Sequence, residues 1–153
     1  THLEEYPYRM EYGTPNTLGI AGLNAGVKWL LKQGMAGVHA REMKLTAMLR
    51  DGLADIPGVV MYCQDDLTDH IGVLAFNIEG VEAGDVGIML DVDYNIATRT
   101  GLHCAPLVHE QLGTDKVHGA VRFGIGPFNN EAHIRAAVSA VREIAAARLA
   151  GKT

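Results

Sequence analysis

The residues best suited to chemistry lie in one short run, residues 99–106, with the sequence RTGLHCAP. In this run Cys104 directly follows His103, and Arg99 stands five residues before the thiol. The thiolate is the reactive form of cysteine, and neighbouring cationic groups raise its population. If the loop folds Arg99 and His103 toward the sulfur, Cys104 becomes a nucleophile. The alternative is a buried, inert cysteine that packs like a small apolar side chain.

Two further positions are suited to binding anions. Arg122 stands in an apolar, strand-like run, VRFG, where a charge is unfavourable unless an anion pairs with it. Its planar guanidinium matches a carboxylate at two points, and the partner is either a ligand or an internal Asp or Glu. The second position is GTPN at residues 13–16, which predicts a helix start with Thr14 as N-cap and Pro15 as the first helical residue. Such a start can bind phosphate, and an ordinary capped helix is the alternative.

Metal and nucleotide sites are not indicated. His103 and Cys104 form a candidate ligand pair, but no Cys/His cluster at zinc spacing accompanies them. We expect His109 and His118 to be surface or capping residues and Cys63 to be a packing residue. The chain carries no glycine-rich dinucleotide or phosphate-loop motif.

Composition predicts one globular domain with an ordinary core. Of 153 residues, 48% are hydrophobic and 20% charged, with a net charge of −5. The acidic balance disfavours nucleic acid or an anionic membrane as the main partner. Two cysteines make no disulfide framework, and no signal-type or membrane-spanning apolar segment is present. These features favour a reducing cytoplasm.

The apolar pattern predicts a mixed α/β fold in which helices cover a small, antiparallel or mixed sheet. The run 71–78 is apolar on both alternating sets of side chains, which predicts a central strand covered on both faces. The Cys104 loop should follow directly after a strand. The expected elements are an irregular opening at 1–12, helices at 13–33, about 38–53 and 82–90, strands at 59–62, 71–78, 96–99 and 120–125, and a last helix that Asn130 caps.

Three motifs in order resemble one family. GTPN at 13–16, RTGLHCAP at 99–106 and GAVRF at 119–123, followed by GPFN at 126–129, are similar to the C-terminal portion of the class V aminotransferases, which are pyridoxal-phosphate enzymes. The resemblance covers about residues 11–149 and is strongest to the cysteine desulfurase and selenocysteine lyase branch. It implies the small C-terminal domain of a fold-type I enzyme.

The resemblance also implies roles for the candidate residues. Cys104 would take sulfur from L-cysteine and hold it as a persulfide, leaving L-alanine. Arg122 would bind the substrate α-carboxylate, and Arg99 would orient the substrate and stabilise the sulfur anion. His103 would lie beside the substrate, without an assigned proton-transfer role.

The cofactor implied is pyridoxal 5′-phosphate. Thr14, together with Gly13, would contact its phosphate, in the active site of the partner subunit of a homodimer. The family's cofactor lysine follows a Ser-x-x-His stretch, and none of the lysines here has that context: Lys28, Lys32, Lys44, Lys116 and Lys152.

We therefore expect an irregular segment at 1–12, a leading helix at 13–34 and a small domain at 35–153, without the large cofactor domain. By itself such a piece would be inactive and would expose apolar surface. A sulfur-acceptor protein is a further expected partner. The alternatives are a class V aminotransferase or lyase on another amino acid, or a non-enzymatic domain that binds a carboxylate or a partner protein.

Overall fold

The computed structural model describes residue 6, residue 10, residues 13–64 and residues 66–151. The chain divides into two compact units, Thr1–Val38 and His39–Thr153. Most of the opening segment 1–12, expected to be irregular, lies outside the described residues, as does Lys152.

The first unit carries helix α1, Thr17–Gln33. As predicted, the helix stops at Gly34, whose backbone has a φ of 81° and whose N–H donates to the Leu30 carbonyl. The predicted start is wrong by two residues, because the cap is Asn16 and not Thr14. Pro15 biases the residue before it toward an extended backbone, so the chain turns into the helix only after the proline.

Helix α1 presents apolar side chains to solvent. None of its residues is buried, in agreement with the expected exposed apolar surface. Leu23 and Leu31 are 69% and 73% exposed. The exposed set on this helix comprises Leu18, Ile20, Leu23, Val27 and Leu31.

The remaining elements follow in chain order. They are α2 (Met35–Ala54), which begins in the first unit, then β1 (Val59–Met61), β2 (Val73–Ile78), α3 (Ala83–Tyr94), β3 (Arg99–Gly101), α4 (Pro106–Leu112), a 3₁₀ turn (Asp115–Val117), β4 (Ala120–Gly124) and α5 (Glu131–Ala150). None of the helices in the described part of the chain is long and apolar enough to cross a membrane.

The second unit is built on a four-stranded antiparallel sheet in the order β1-β2-β4-β3. Alternate residues of the central strands face the core, where the rings of Phe76 and Phe123 stack with centroids 5.4 Å apart. Helices α2, α3 and α5 supply the other core side chains, among them Leu53, Val86 and Val141. The mixed α/β class and the small antiparallel sheet are confirmed.

Several predicted bounds need correction. Strand β2 is central, as expected, but it begins at Val73, and Ile71 is 65% exposed. A tight turn precedes it, because the Val73 amide bonds to the Ile71 carbonyl. The second face of β2 is only partly covered, since Ala75 is half-buried while Asn77 is buried.

Helix α3 is longer than predicted and strand β3 shorter. The helix runs to Tyr94 and ends at Asn95 in the left-handed conformation. The amide of Ile96 then bonds back to Leu90, which completes the helix end and removes residues 96–98 from the expected strand. Strand β3 therefore starts at Arg99.

The last helix follows its sequence pattern closely. Asn130 caps α5 by accepting from the amides of Ala132 and His133. Six apolar residues recur at helical spacing in this run and predict a stripe that faces the core: Ile134, Val138, Val141, Ile144, Ala145 and Leu149. Four of them are buried, Val138 is half-buried, and Leu149 is 47% exposed. The buried four are Ile134, Val141, Ile144 and Ala145.

Candidate active site

Two arginines face each other on the open side of the sheet. Arg99 of β3 and Arg122 of β4 are direct antiparallel partners, so their side chains leave the sheet on the same face. Like charges directly opposite each other destabilise a strand pair. Within residues 13–64 and 66–151, no carboxylate pairs with Arg122. An internal ion pair for Arg122 therefore finds no support there, and the arrangement suits an anionic ligand.

The thiol lies on a tight turn that begins where β3 ends. Strand β3 ends at Gly101, and the Ala105 amide bonds to the Leu102 carbonyl at 2.8 Å. His103 and Cys104 both adopt positive φ, 53° and 58°, which costs energy for residues with a Cβ atom. Cys104 is exposed, in contrast to the buried alternative.

Cys63 behaves as the sequence suggests. It is half-buried and packs against the hydrophobic core. The two cysteines thus occupy opposite environments, and Cys63 provides a natural control for experiments on Cys104.

His103 is half-buried beside the two arginines. Burial lowers its pKa below 6.5, and the charges of Arg122, His109 and Arg99 act in the same direction. A hydrogen bond to the Arg99 backbone acts against them. The lowered pKa favours the neutral ring, so His103 is not the source of positive charge in this part of the molecule.

The sequence analysis missed the short helix after the thiol. Pro106 and Gly113 were the available signals, since proline favours the first turn and glycine the left-handed end of a helix. Pro106 does open α4, and Gly113 ends it with a φ of 70°.

His109 on α4 was expected at the surface, and this prediction is wrong. Its side chain is 5% exposed, and its Nδ1 atom lies 2.7 Å from the Thr114 Oγ1 atom. A helix of seven residues has too few positions for the side that faces the core to be recognised from the sequence. His118 is exposed, as predicted, and pairs with Glu82 at 3.2 Å.

The second anion-binding candidate lies in the first unit. Gly13 has a φ of 86°, and Thr14 is exposed. Because Asn16 is the cap, its Oδ1 atom already accepts from the Gly19 amide at 2.9 Å, and the Thr17 amide bonds to the Pro15 carbonyl. Fewer helix amides are thus open to a phosphate than the sequence suggests, and the Thr14 hydroxyl is not the helix cap.

Metal ligands do not gather in the described part of the chain. No group of three or more His, Cys, Asp or Glu side chains is placed to hold a metal ion there. The pair His103 and Cys104 therefore has no third such ligand among these residues.

Relatives with related sequences share one activity in their names. The cysteine desulfurase CsdA of Escherichia coli (strain K12) is 35% identical over 136 residues, which cover 88% of this chain and 32% of that protein. A probable cysteine desulfurase of Pyrococcus abyssi is 33% identical over 142 residues, which cover 93% and 34%. The chain thus spans about a third of the length of these relatives.

Solved structures agree with this likeness. The apo cysteine desulfurase of Thermococcus onnurineus NA1 superposes with a TM-score of 0.86 at 33% identity and covers 95% of this chain and 35% of that one. The S-sulfonic acid form of Escherichia coli CsdA gives 0.77 at 33% identity, covering 90% and 32%. A C-DES mutant with glycine linked to its PLP cofactor, 18% identical with a TM-score of 0.70, shares the fold.

The family model described as aminotransferase class-V matches residues 1–136. This match covers both units in large part and includes the arginine pair and the Cys104 turn. The chain belongs to the class V aminotransferase family.

Proposed function

We propose that this chain carries the sulfur-accepting part of a cysteine desulfurase active site, with Cys104 as the acceptor. The observation that carries the proposal is an exposed thiol on the tight turn that follows β3, the strand on which Arg99 lies directly opposite Arg122. The names of the relatives at 33–35% identity support the same activity.

The proposed transfer begins with Cys104 as its thiolate, the form in which a cysteine acts as a nucleophile. Its sulfur attacks the sulfur of bound L-cysteine, and a new S–S bond forms while the substrate C–S bond breaks. The electron pair of that bond stays on carbon, which takes a proton and becomes the methyl group of L-alanine. The enzyme keeps the substrate sulfur as a Cys104 persulfide, so no outside oxidant is needed.

Arg122 and Arg99 bind and orient the substrate in this proposal. Arg122 is half-buried, and a carboxylate would supply the anion that no described residue provides. A two-point contact fixes the substrate backbone and leaves its sulfur free to approach Cys104. Arg99, directly opposite, stabilises the sulfur anion, and the neutral His103 ring forms a wall beside the substrate.

The cofactor proposed for the whole protein is pyridoxal 5′-phosphate, as the family implies. When bound, it withdraws electrons from the substrate carbons. The residues present fit part of its site: Gly13 has a positive φ, and the exposed hydroxyl of Thr14 can donate to a phosphate oxygen. We propose that they act across a homodimer, in the site of the partner subunit.

The lysine that holds the cofactor is proposed to lie outside this chain. Among the described lysines, Lys44 is paired with Glu131 at 2.8 Å, Lys28 and Lys32 lie on α1, and Lys116 lies in the 3₁₀ turn. Residues 1–153 span about a third of the relatives, which leaves room for a larger cofactor domain. We propose a leading helix at 13–34 and a small domain at 35–153.

The proposed partners of the whole protein are L-cysteine and a protein that accepts the persulfide sulfur. We propose the cytoplasm as its compartment. Two cysteines make no disulfide framework in the sequence, a cysteine usage typical of proteins in a reducing compartment.

The test compares Cys104→Ala with Cys63→Ala in the intact, cofactor-loaded protein. Alanine and sulfide released from L-cysteine are measured with a thiol reductant present. We expect Cys104→Ala to abolish both products and Cys63→Ala to keep them. Unchanged turnover in Cys104→Ala would contradict the desulfurase proposal. Amino transfer to a keto acid without sulfide release would instead favour an aminotransferase that uses Arg122 but not the thiol.

A further inference from the structure

A buried polar pair lies behind the Cys104 turn and has no part in the proposed sulfur transfer. His109 is 5% exposed and Thr114 is 2% exposed, and the two side chains are 2.7 Å apart. Burying polar groups is unfavourable unless they bond to each other or to the backbone. A backbone hydrogen bond also links the two residues, because the Thr114 amide donates to the His109 carbonyl at 2.9 Å.

The pair is connected on one side to the sheet. The Gly119 amide donates to the Thr114 carbonyl at 2.8 Å, immediately before β4 begins. Strand β4 carries Arg122, so the position of Thr114 is tied to the strand that holds this guanidinium.

On its other side the pair reaches the thiol turn. The His109 ring contacts the His103 ring, with centroids 5.6 Å apart and planes inclined by 40°. His103 is the residue before Cys104, and both have positive φ. Two successive residues with Cβ atoms hold this conformation only when their surroundings impose it. The turn bond from Ala105 to Leu102 is one such constraint, and the ring contact is a second.

We propose that His109 and Thr114 are positioning residues that hold the His103 ring, and through it the left-handed Cys104 turn, in register with the two arginines. The inference rests on the proposed function in naming Cys104 as the nucleophile. The ring pair does not touch the substrate sulfur. It sets the direction in which the next side chain leaves the backbone.

A consequence for thiol reactivity follows. Without the hydroxyl or the ring, the turn can relax toward the right-handed or extended backbone that these residues prefer. The Cys104 sulfur then leaves the position that the turn fixes, and its distances to Arg99 and Arg122 change. Because Cys104 is already exposed, relaxation of the turn would make its sulfur only slightly more accessible to a reagent.

The test measures alkylation of Cys104 by iodoacetamide at pH 7 in the intact protein, with Cys63→Ala as background so that one thiol is followed. We expect Thr114→Val to slow alkylation by about tenfold, and Thr114→Ser, which keeps the hydroxyl, to restore most of the rate. His109→Ala should slow it at least as much. The His103 ring signals in a ¹H–¹³C spectrum should shift with Thr114→Val and return with Thr114→Ser.

The control for a purely structural effect is Val86→Ala in the core packed against the other face of the sheet. It should lower the unfolding midpoint without changing the alkylation rate. Equal rates in Thr114→Val and its parent, or equal slowing by Val86→Ala, would overturn the proposal. If His109→Ala does not fold, the comparison of Thr114→Val with Thr114→Ser still tests the proposal. The alkylation rate and the ring signals are both measured without desulfurase turnover. An activity assay that fails would therefore contradict the proposed function, and the positioning role could still be tested.

Discussion

At the scale of single residues, the arginine pair is the most demanding feature of the site. Arg99 and Arg122 repel each other across two strands, and the described residues offer Arg122 no carboxylate. Like charges directly opposite each other destabilise a strand pair, and an anionic ligand would relieve this. This arrangement agrees with the proposed binding of a substrate carboxylate by Arg122.

Arg122→Lys tests the two-point contact. A lysine keeps the charge but loses the planar fork, so we expect the KM for L-cysteine to rise by about tenfold or more. Steady-state kinetics of the intact protein measure this, with the exposed Arg142→Lys on α5 as a matched control. An unchanged KM in Arg122→Lys would show that Arg122 does not bind the carboxylate.

His103 makes a prediction about pH and stability. Its pKa in the folded protein lies below 6.5, with burial as the largest cause. As pH falls through 6.5, the unfolded chain gains a proton at this ring that the folded chain resists, so the free energy of unfolding decreases. Above that pH the ring is neutral in both states and contributes nothing.

We therefore expect His103→Gln to lose less stability than the parent between about pH 7 and pH 5. Urea unfolding at both pH values measures the difference. Because burial outweighs the charges of Arg122, His109 and Arg99, 1 M salt should leave most of the effect in place. Parallel pH curves for parent and variant would refute the assignment.

At the scale of the elements, the junction of β3 and β4 depends on glycine. Gly119 has a φ of 104°, and a Cβ atom there would lie 2.2 Å from the backbone of Gly101. The two strands can approach at the base of the Cys104 turn only because this position lacks a side chain.

Gly119→Ala should lower the free energy of unfolding by about 3 kcal/mol or more, since both the backbone conformation and the close approach become unfavourable. Gly124→Ala is the matched control at the end of β4, because nothing lies within 4 Å of its added Cβ atom. Denaturant unfolding measures the free energy of unfolding of both variants. Similar losses in the two would contradict the close approach of Gly119 to Gly101.

The start of α1 gives a second prediction at this scale. Asn16→Ala removes the oxygen that accepts from the Gly19 amide and should destabilise the helix by about 1 kcal/mol. Thr14→Ala should leave the helix unchanged, since Thr14 is not the cap. Amide hydrogen exchange in the first turn of α1 distinguishes the two, and the opposite ranking would restore Thr14 as cap.

At the scale of the whole molecule, the core belongs to the second unit. Leu53 on α2 is fully buried, whereas Leu23 on α1 is 69% exposed. Leu53→Ala should cost about 2–5 kcal/mol of unfolding free energy, because it leaves a cavity. Leu23→Ala should change it by less than about 0.5 kcal/mol. Thermal or urea unfolding checks both, and a large loss from Leu23→Ala would show that α1 is covered in solution.

The sequence by itself was enough for features that depend on local pattern. The stripe on α5, the Asn130 cap and the stop of α1 at Gly34 follow from side-chain periodicity and from backbone preferences of single residues. The residue types of the site, a thiol and two arginines in short motifs, could also be recognised without coordinates.

Tertiary structure alone decided how these residues meet. The opposition of Arg99 and Arg122 is a consequence of strand register, which links residues 23 positions apart and is not encoded in either motif. The burial of His109 and the left-handed turn at Cys104 likewise depend on contacts with distant parts of the chain. Local pattern therefore identified the candidate site residues, and long-range packing determined their surroundings.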